Sequence, residues 1–249
     1  MSTVNESAWF ETTLGQHLLA REQAYFDEAV SDVFGFNALQ LGLSQYDFLR
    51  ANRIPLRASI GHGAQVQVAA DLTYLPVASQ SVDLLLLPHV LEFSDNPHQI
   101  LREVERVLMP EGHLVIAGFN PFSLWGLKRF FNRECGDYPW NGHFIALPRV
   151  KDWLALLGFE VTGGRLCCYA PPFASAQWRE RFDFMDDAGD RWWPLAGGVY
   201  FLQAKKRVQG MRLITPHWNE RLAAKRRLAA AAQKRAADLR QDEEREPVV

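Results

Sequence analysis

Residues 70–93, ADLTYLPVASQSVDLLLLPHVLEF, and residues 98–119, HQILREVERVLMPEGHLVIAGF, hold the reading that decides the fold. Val82 to Leu87 is a short apolar run, interrupted by Asp83 alone and entered from the polar turn Ser79, Gln80, Ser81, the pattern of a strand buried on both faces. Ile100, Leu101, Val104, Val107 and Leu108 recur at helical spacing, and Pro110-Glu111-Gly112 is expected to stop that helix. His113 to Ala117 is a second apolar strand. Strand, helix, strand within about 40 residues is a βαβ unit, so the sheet should be parallel here.

These residues also carry a family pattern. Asp71, Leu75-Pro76-Val77 and Ser81-Val82-Asp83 match an acidic residue after a strand and the "LPF-x-x-x-SFD" turn that leads into the next one. Val90-Leu91-Glu92-Phe93 matches "vLEH", and Leu101, Glu103, Arg106-Val107-Leu108 and Pro110-Glu111-Gly112 match "L-x-E-x-x-R-VLkPGG". In this the segment resembles the class I S-adenosylmethionine (SAM)-dependent methyltransferases, in the branch that includes the quinone-biosynthesis enzymes. The resemblance runs from about Phe34 to Arg207. Asn37 to Leu49 stands at the family's first strand and glycine-rich loop, Arg149 to Val161 at its "aGF-x-v" helix and sixth strand, and Val199 to Lys205 at its antiparallel last strand. The implied fold is α/β, a Rossmann-like, mostly parallel sheet of seven strands with helices on both faces. The implied activity is methyl transfer from SAM to an acceptor that the sequence does not name.

The cofactor residues implied by the resemblance are Gly42, Ser44, Asp71, Leu72 and His89, with Asp71 near the adenine. The loop departs from the family pattern. Only its first glycine stands, as Gly42; Ser44 and Tyr46 occupy the next two glycine positions, and Gln40 replaces an acid at the end of the first strand. A bare backbone lets such a loop approach a ligand, so the Tyr46 ring either closes the pocket or points outward. The acid that grips the ribose in the family is missing from LRASIGHG, residues 56–63. No G-x-G-x-x-G follows the first strand, which argues against a nicotinamide-dependent oxidoreductase.

Candidate proton acceptors are His89 after the fourth strand, Asn120 after the fifth and His143 in a later loop. Ligands of open α/β sheets bind at the carboxyl ends of the strands, and imidazole can accept a proton near neutral pH. His98 reads as a surface or capping residue. No metal-ligand spacing is present. Cys135, Cys167 and Cys168 suit a reducing compartment, and the adjacent pair, in the sixth strand, should point to opposite faces.

Three regions are expected: a helical stretch at 1–34, the methyltransferase-like domain at 35–207, and a basic Ala/Arg-rich tail at 208–249. Within the first, one helix over Ala8 to Phe34 should pack Leu14, Leu18, Phe26, Val30, Val33 and Phe34 on the sheet, with Trp9 and Phe10 as lid candidates. A helix should begin at Thr215-Pro216, and residues 136–143 and 179–194 read as loops. The chain of 249 residues is 48% hydrophobic, enough for one sizeable core, and has no apolar run long enough to span a membrane. Together with the polar N-terminus MSTVNESAWF, which lacks the pattern of a signal peptide, this leads to an expected cytoplasmic location. The net charge of −2 conceals an asymmetry, for Lys205 to Arg240 holds 11 Lys and Arg against Glu220 and Asp238 alone. That charge suits weak nucleic-acid contact through the tail. The alternative to an enzyme is therefore a methyltransferase-fold binding module with a nucleic-acid-contacting tail.

Overall fold

The computed structural model describes residues 3–62, 66–132, 138–172 and 195–208. Met1 to Val208 form one compact unit. The expected helix at Thr215, the basic tail after Val208, Cys135 and the 179–194 loop lie outside the described residues.

The elements run α1 (Thr3–Phe10), α2 (Thr13–Ser31), β1 (Asn37–Leu41), β2 (Leu56–Gly61), β3 (Val68–Ala69), β4 (Val82–Pro88), α3 (Pro97–Val107), β5 (Leu108–Phe119), α4 (Leu124–Asn132), α5 (Leu147–Leu156), β6 (Phe159–Cys167) and β7 (Val199–Lys206). The seven strands form one sheet in the order β3-β2-β1-β4-β5-β7-β6. Neighbours from β3 to β5 are parallel, and β7 is antiparallel to both β5 and β6. This is the expected class I methyltransferase sheet. Strand order reverses at the β1/β4 junction, the place where such a sheet opens a crevice beyond its carboxyl ends.

Strand β4 is the axis of the core. Leu84 and Leu86 pack with α1, α2 and Phe201 on one face, while Leu85 and Leu87 pack with α3 and α5 on the other. All four are fully buried, as a continuous leucine run requires. The family-like polar residues tie this core to its loops. Asp83 Oδ2 accepts from the backbone N–H groups of Phe36 and Asn37. Arg106 donates to the carbonyls of Leu75 and Val77, and Glu103 accepts from the Leu75 N–H.

Four expectations change. The N-terminal stretch is two helices, because the Thr12 hydroxyl accepts from the Gly15 N–H and starts α2 afresh. Phe34 lies beyond α2 and is 72% exposed, so it does not belong to the packed face. Helix α3 ends at Val107, ahead of Pro110-Glu111-Gly112, since Leu108 is already extended and opposite Val82; the register then jumps to Leu84 opposite His113. The two cysteines do not take opposite faces either. Cys168 leaves β6 with φ +59°, which turns its Sγ to within 3.5 Å of Cys167 Sγ.

Candidate cofactor and active site

The crevice at the β1/β4 junction is a cavity of about 350 Å³, the size range of small-molecule sites. The loop after β1 forms one wall. Gln40, 2% exposed at the end of that strand, shapes it: Nε2 donates to the carbonyls of Gly42, Leu43 and Tyr46 at 3.2, 3.1 and 2.8 Å, and Oε1 accepts from the Phe48 N–H. A carboxylate could not donate to those carbonyls, so the change from the family's acid has a structural purpose. Gly42 has φ +76°, and a Cβ there would meet Val90 Cγ2 at 2.8 Å. Ser44 and Gln45 line the cavity, and Gln45 Nε2 is a buried donor with no partner among the described residues. Tyr46 turns away, its ring 5.3 Å from that of Phe10. Of the two orientations open to it, the outward one is found.

Asp71, Leu72 and Ile100 also line the cavity. The exposed Asp71 carboxylate accepts from the N–H and hydroxyl of Thr73 at 2.9 and 2.8 Å, which holds its pKa below the ordinary value. The end of β2 contributes Gly61 and His62. Helix α1 contributes Glu6, whose carboxyl is pushed up by burial against the opposing pull of His89.

His89 lies in the floor with Pro88 and Val90, at φ +51°. Its Nε2 is 2.5 Å from Glu22 Oε1 and its Nδ1 is 3.1 Å from Glu92 Oε1. Burial alone would lower the His89 pKa; the two glutamates outweigh it and push it up to about 10. Both ring nitrogens are therefore engaged as donors, and the ring is a poor proton acceptor near neutral pH. Asn120 is 4% exposed and outside the cavity: Nδ2 donates to Leu195 and Gly197 carbonyls, and Oδ1 accepts from Phe122 N–H. His143 is exposed and also outside the cavity, and meets the cluster only through its N–H to the Glu92 carbonyl at 2.7 Å. Neither can touch a ligand in the cavity as it stands. The lid candidates Trp9 and Phe10 pack on Tyr138, and Phe10 is buried in the core. Among the described residues no cluster of three His, Cys, Asp or Glu could hold a metal.

Glu6, Glu22, Gln40 and Glu92 carry no site role in the sequence reading. A signal existed for Glu22, which falls at four-residue spacing after Leu14 and Leu18 on the buried stripe of α2.

Residues 47–116 match the methyltransferase domain family. That match starts after Tyr46, just past the loop that departs from the family pattern. An uncharacterized protein of Escherichia coli K12, YafS, is 41% identical over 131 residues, 52% of this chain and 55% of that protein. A malonyl-[acyl-carrier protein] O-methyltransferase of Methylovorus is 27% identical over 123 residues, 49% of this chain and 41% of the enzyme. The chain thus spans about half the length of these relatives. Among solved structures, a SAM-dependent methyltransferase of Thermotoga maritima, described as a possible histamine N-methyltransferase, superposes with a TM-score of 0.58 at 18% identity. The superposition covers 82% of this chain and 96% of that one. Residues 47–116 thus carry the sequence pattern of a methyltransferase domain family, and they are set in a sheet with the fold of the class I SAM-dependent methyltransferases.

Proposed function

We propose that the chain is a SAM-dependent methyltransferase that binds its cofactor in the β1/β4 cavity. The observation that carries this is the cradle at Gly42, where a side chain would strike Val90, in a cavity of the right size that Asp71 also lines. The orphaned Gln45 donor and a lining with Glu6, Asp71 and Asp95 suit a cofactor that is cationic and carries hydrogen-bond acceptors. When bound, SAM supplies an activated methyl group with its own leaving group, so the protein's task is chiefly alignment.

Gly42 gives the loop its close approach, Ser44 and Gln45 offer donors, and Asp71 with Leu72 takes the adenine end. Helix α1 closes one side and excludes water, and its Glu6 would receive a proton from the acceptor. Among the described lining residues there is no Lys or Arg, so an uncharged nucleophile suits the cavity better than a free carboxylate. The second reading, a binding module with a nucleic-acid-contacting tail, is favoured by the charge asymmetry of the sequence.

Calorimetry with SAM and with S-adenosylhomocysteine (SAH) tests the proposal. Both should bind, and Asp71→Ala should weaken both about tenfold or more, the loss expected for a desolvated hydrogen bond to a carboxylate. No binding at millimolar ligand would reject the enzyme reading in favour of the binding module.

A further inference from the structure

We propose that Cys167 and Cys168 are a reversible oxidation site, a pair of adjacent thiols that a peroxide closes to a disulfide within the chain. Neighbouring residues of a strand point to opposite faces, which keeps their side chains apart. Here β6 ends at Cys167, and Cys168 takes a left-handed backbone, φ +59°. A non-glycine residue adopts that conformation at a cost, and such residues recur at functional sites. The turn carries both side chains to the same hydrophobic cluster, with the two sulfurs in contact at 3.5 Å.

Hydrogen bonds on either side hold the turn. The Gly198 N–H donates to the Cys168 carbonyl at 3.0 Å, and Trp125 Nε1 donates to the Ala170 carbonyl at 3.2 Å. The register sets Cys167 opposite Val199 and Val199 opposite Phe119, the last residue of β5. The pair therefore stands at the end of the sheet at which β4 and β5 finish, the end that also carries the candidate cofactor cavity.

The two thiols differ in access. Cys167 is half-buried, whereas Cys168 is 3% exposed. A small peroxide thus meets Cys167 first. The Cys167 sulfur attacks one peroxide oxygen, the O–O bond breaks, and the other oxygen leaves with the Cys167 proton, as water from hydrogen peroxide. Cys167 is then a sulfenic acid. The Cys168 sulfur attacks the Cys167 sulfur, the S–O bond breaks, and the hydroxyl leaves with the Cys168 proton as a second water. The two thiols have lost two electrons and the peroxide has gained them. An external dithiol reverses the step by thiol–disulfide exchange, so a reducing compartment keeps the pair as thiols until an oxidant arrives.

Peptide mapping of the full chain after hydrogen peroxide treatment, unfolding and alkylation tests this. Cleavage after Arg165 and Arg179 isolates residues 166–179, LCCYAPPFASAQWR, which hold both cysteines and exclude Cys135. This peptide should lose two hydrogens and fall from two alkylated thiols to none, and dithiothreitol should restore both. Cys168→Ser removes the resolving sulfur, so Cys167 should then gain oxygen instead. If that variant does not fold, the wild-type peptide decides alone. Oxygen added to the wild-type peptide without loss of two hydrogens would overturn the proposal. So would a disulfide from it to Cys135 or to a second chain. Two thiols still alkylated under conditions that fully oxidise glutathione would also overturn it. None of these outcomes depends on whether the chain binds SAM.

Discussion

Gln40 Nε2 donates to the carbonyl oxygen of Tyr46 at 2.8 Å, the shortest of three such bonds that curl the loop after β1 around one buried carboxamide. Replacing Gln40 by Glu would aim a carboxylate at three carbonyl oxygens with no donor between them. An unfavourable buried contact of this kind costs about 3–5 kcal/mol. Urea unfolding should show that loss, together with weakened SAM binding. A Gln40→Glu protein of wild-type stability would mean that the loop does not depend on this side chain.

Tyr46→Gly should not tighten the cofactor site. The ring packs edge-on against Phe10 and turns from the cavity, so removing it opens no space for a ligand. The expected result is a stability loss of about 1–3 kcal/mol, from lost aromatic packing on α1 and added backbone freedom. SAM affinity should be unchanged or lower. A gain in affinity would show that the ring does crowd the ligand.

Stability should fall as pH rises from 6.5 towards 10. The His89 pKa is raised from 6.5 to about 10 by Glu22 and Glu92, so the folded state holds this proton more tightly than the unfolded state. The resulting stabilisation is full below the unfolded value, declines through the window, and is gone above about 10. Its upper size is about 5 kcal/mol. The comparison of denaturant unfolding curves for wild type and His89→Asn isolates it from other titrating groups. The difference between the two proteins should shrink at high pH; a constant difference would mean that His89 is not a buried cation.

The basic tail gives a prediction that the structure narrows. Lys205, Lys206 and Arg207 are paired with Glu111, Glu105 and Glu160, so they belong to the folded unit. The charge proposed for a polynucleotide contact is therefore that of the eight Lys and Arg between Val208 and residue 241, outside the described residues. A chain ending at Val208 should keep its fold and its SAM affinity. It should lose a weak, sequence-independent RNA or DNA binding that in the full chain falls steeply with salt. Filter binding at several salt concentrations reads this. Binding that survives the truncation, or that ignores salt, would rule the tail out.

Much of the architecture was legible in the chain because it is encoded locally. The run Leu84 to Leu87 could bury all its side chains only inside a sheet covered on both faces, and the spacing of Ile100 to Val107 could serve only a helix laid on that sheet. Gly42 after β1 and Asp71 after β3 followed from the family pattern and do line one cavity. What the residues around that cavity do was set by tertiary structure. Whether Tyr46 faces the cavity depends on the loop curl fixed by Gln40 and on Phe10 arriving from another helix. His89 has a base's residue type and a base's position, but its proton is fixed by Glu22, 67 residues away in sequence on α2. Periodicity reports which face of an element is buried. It carries no information on which charged groups from distant elements share that burial, and at short range in a medium of low dielectric those neighbours decide the protonation state.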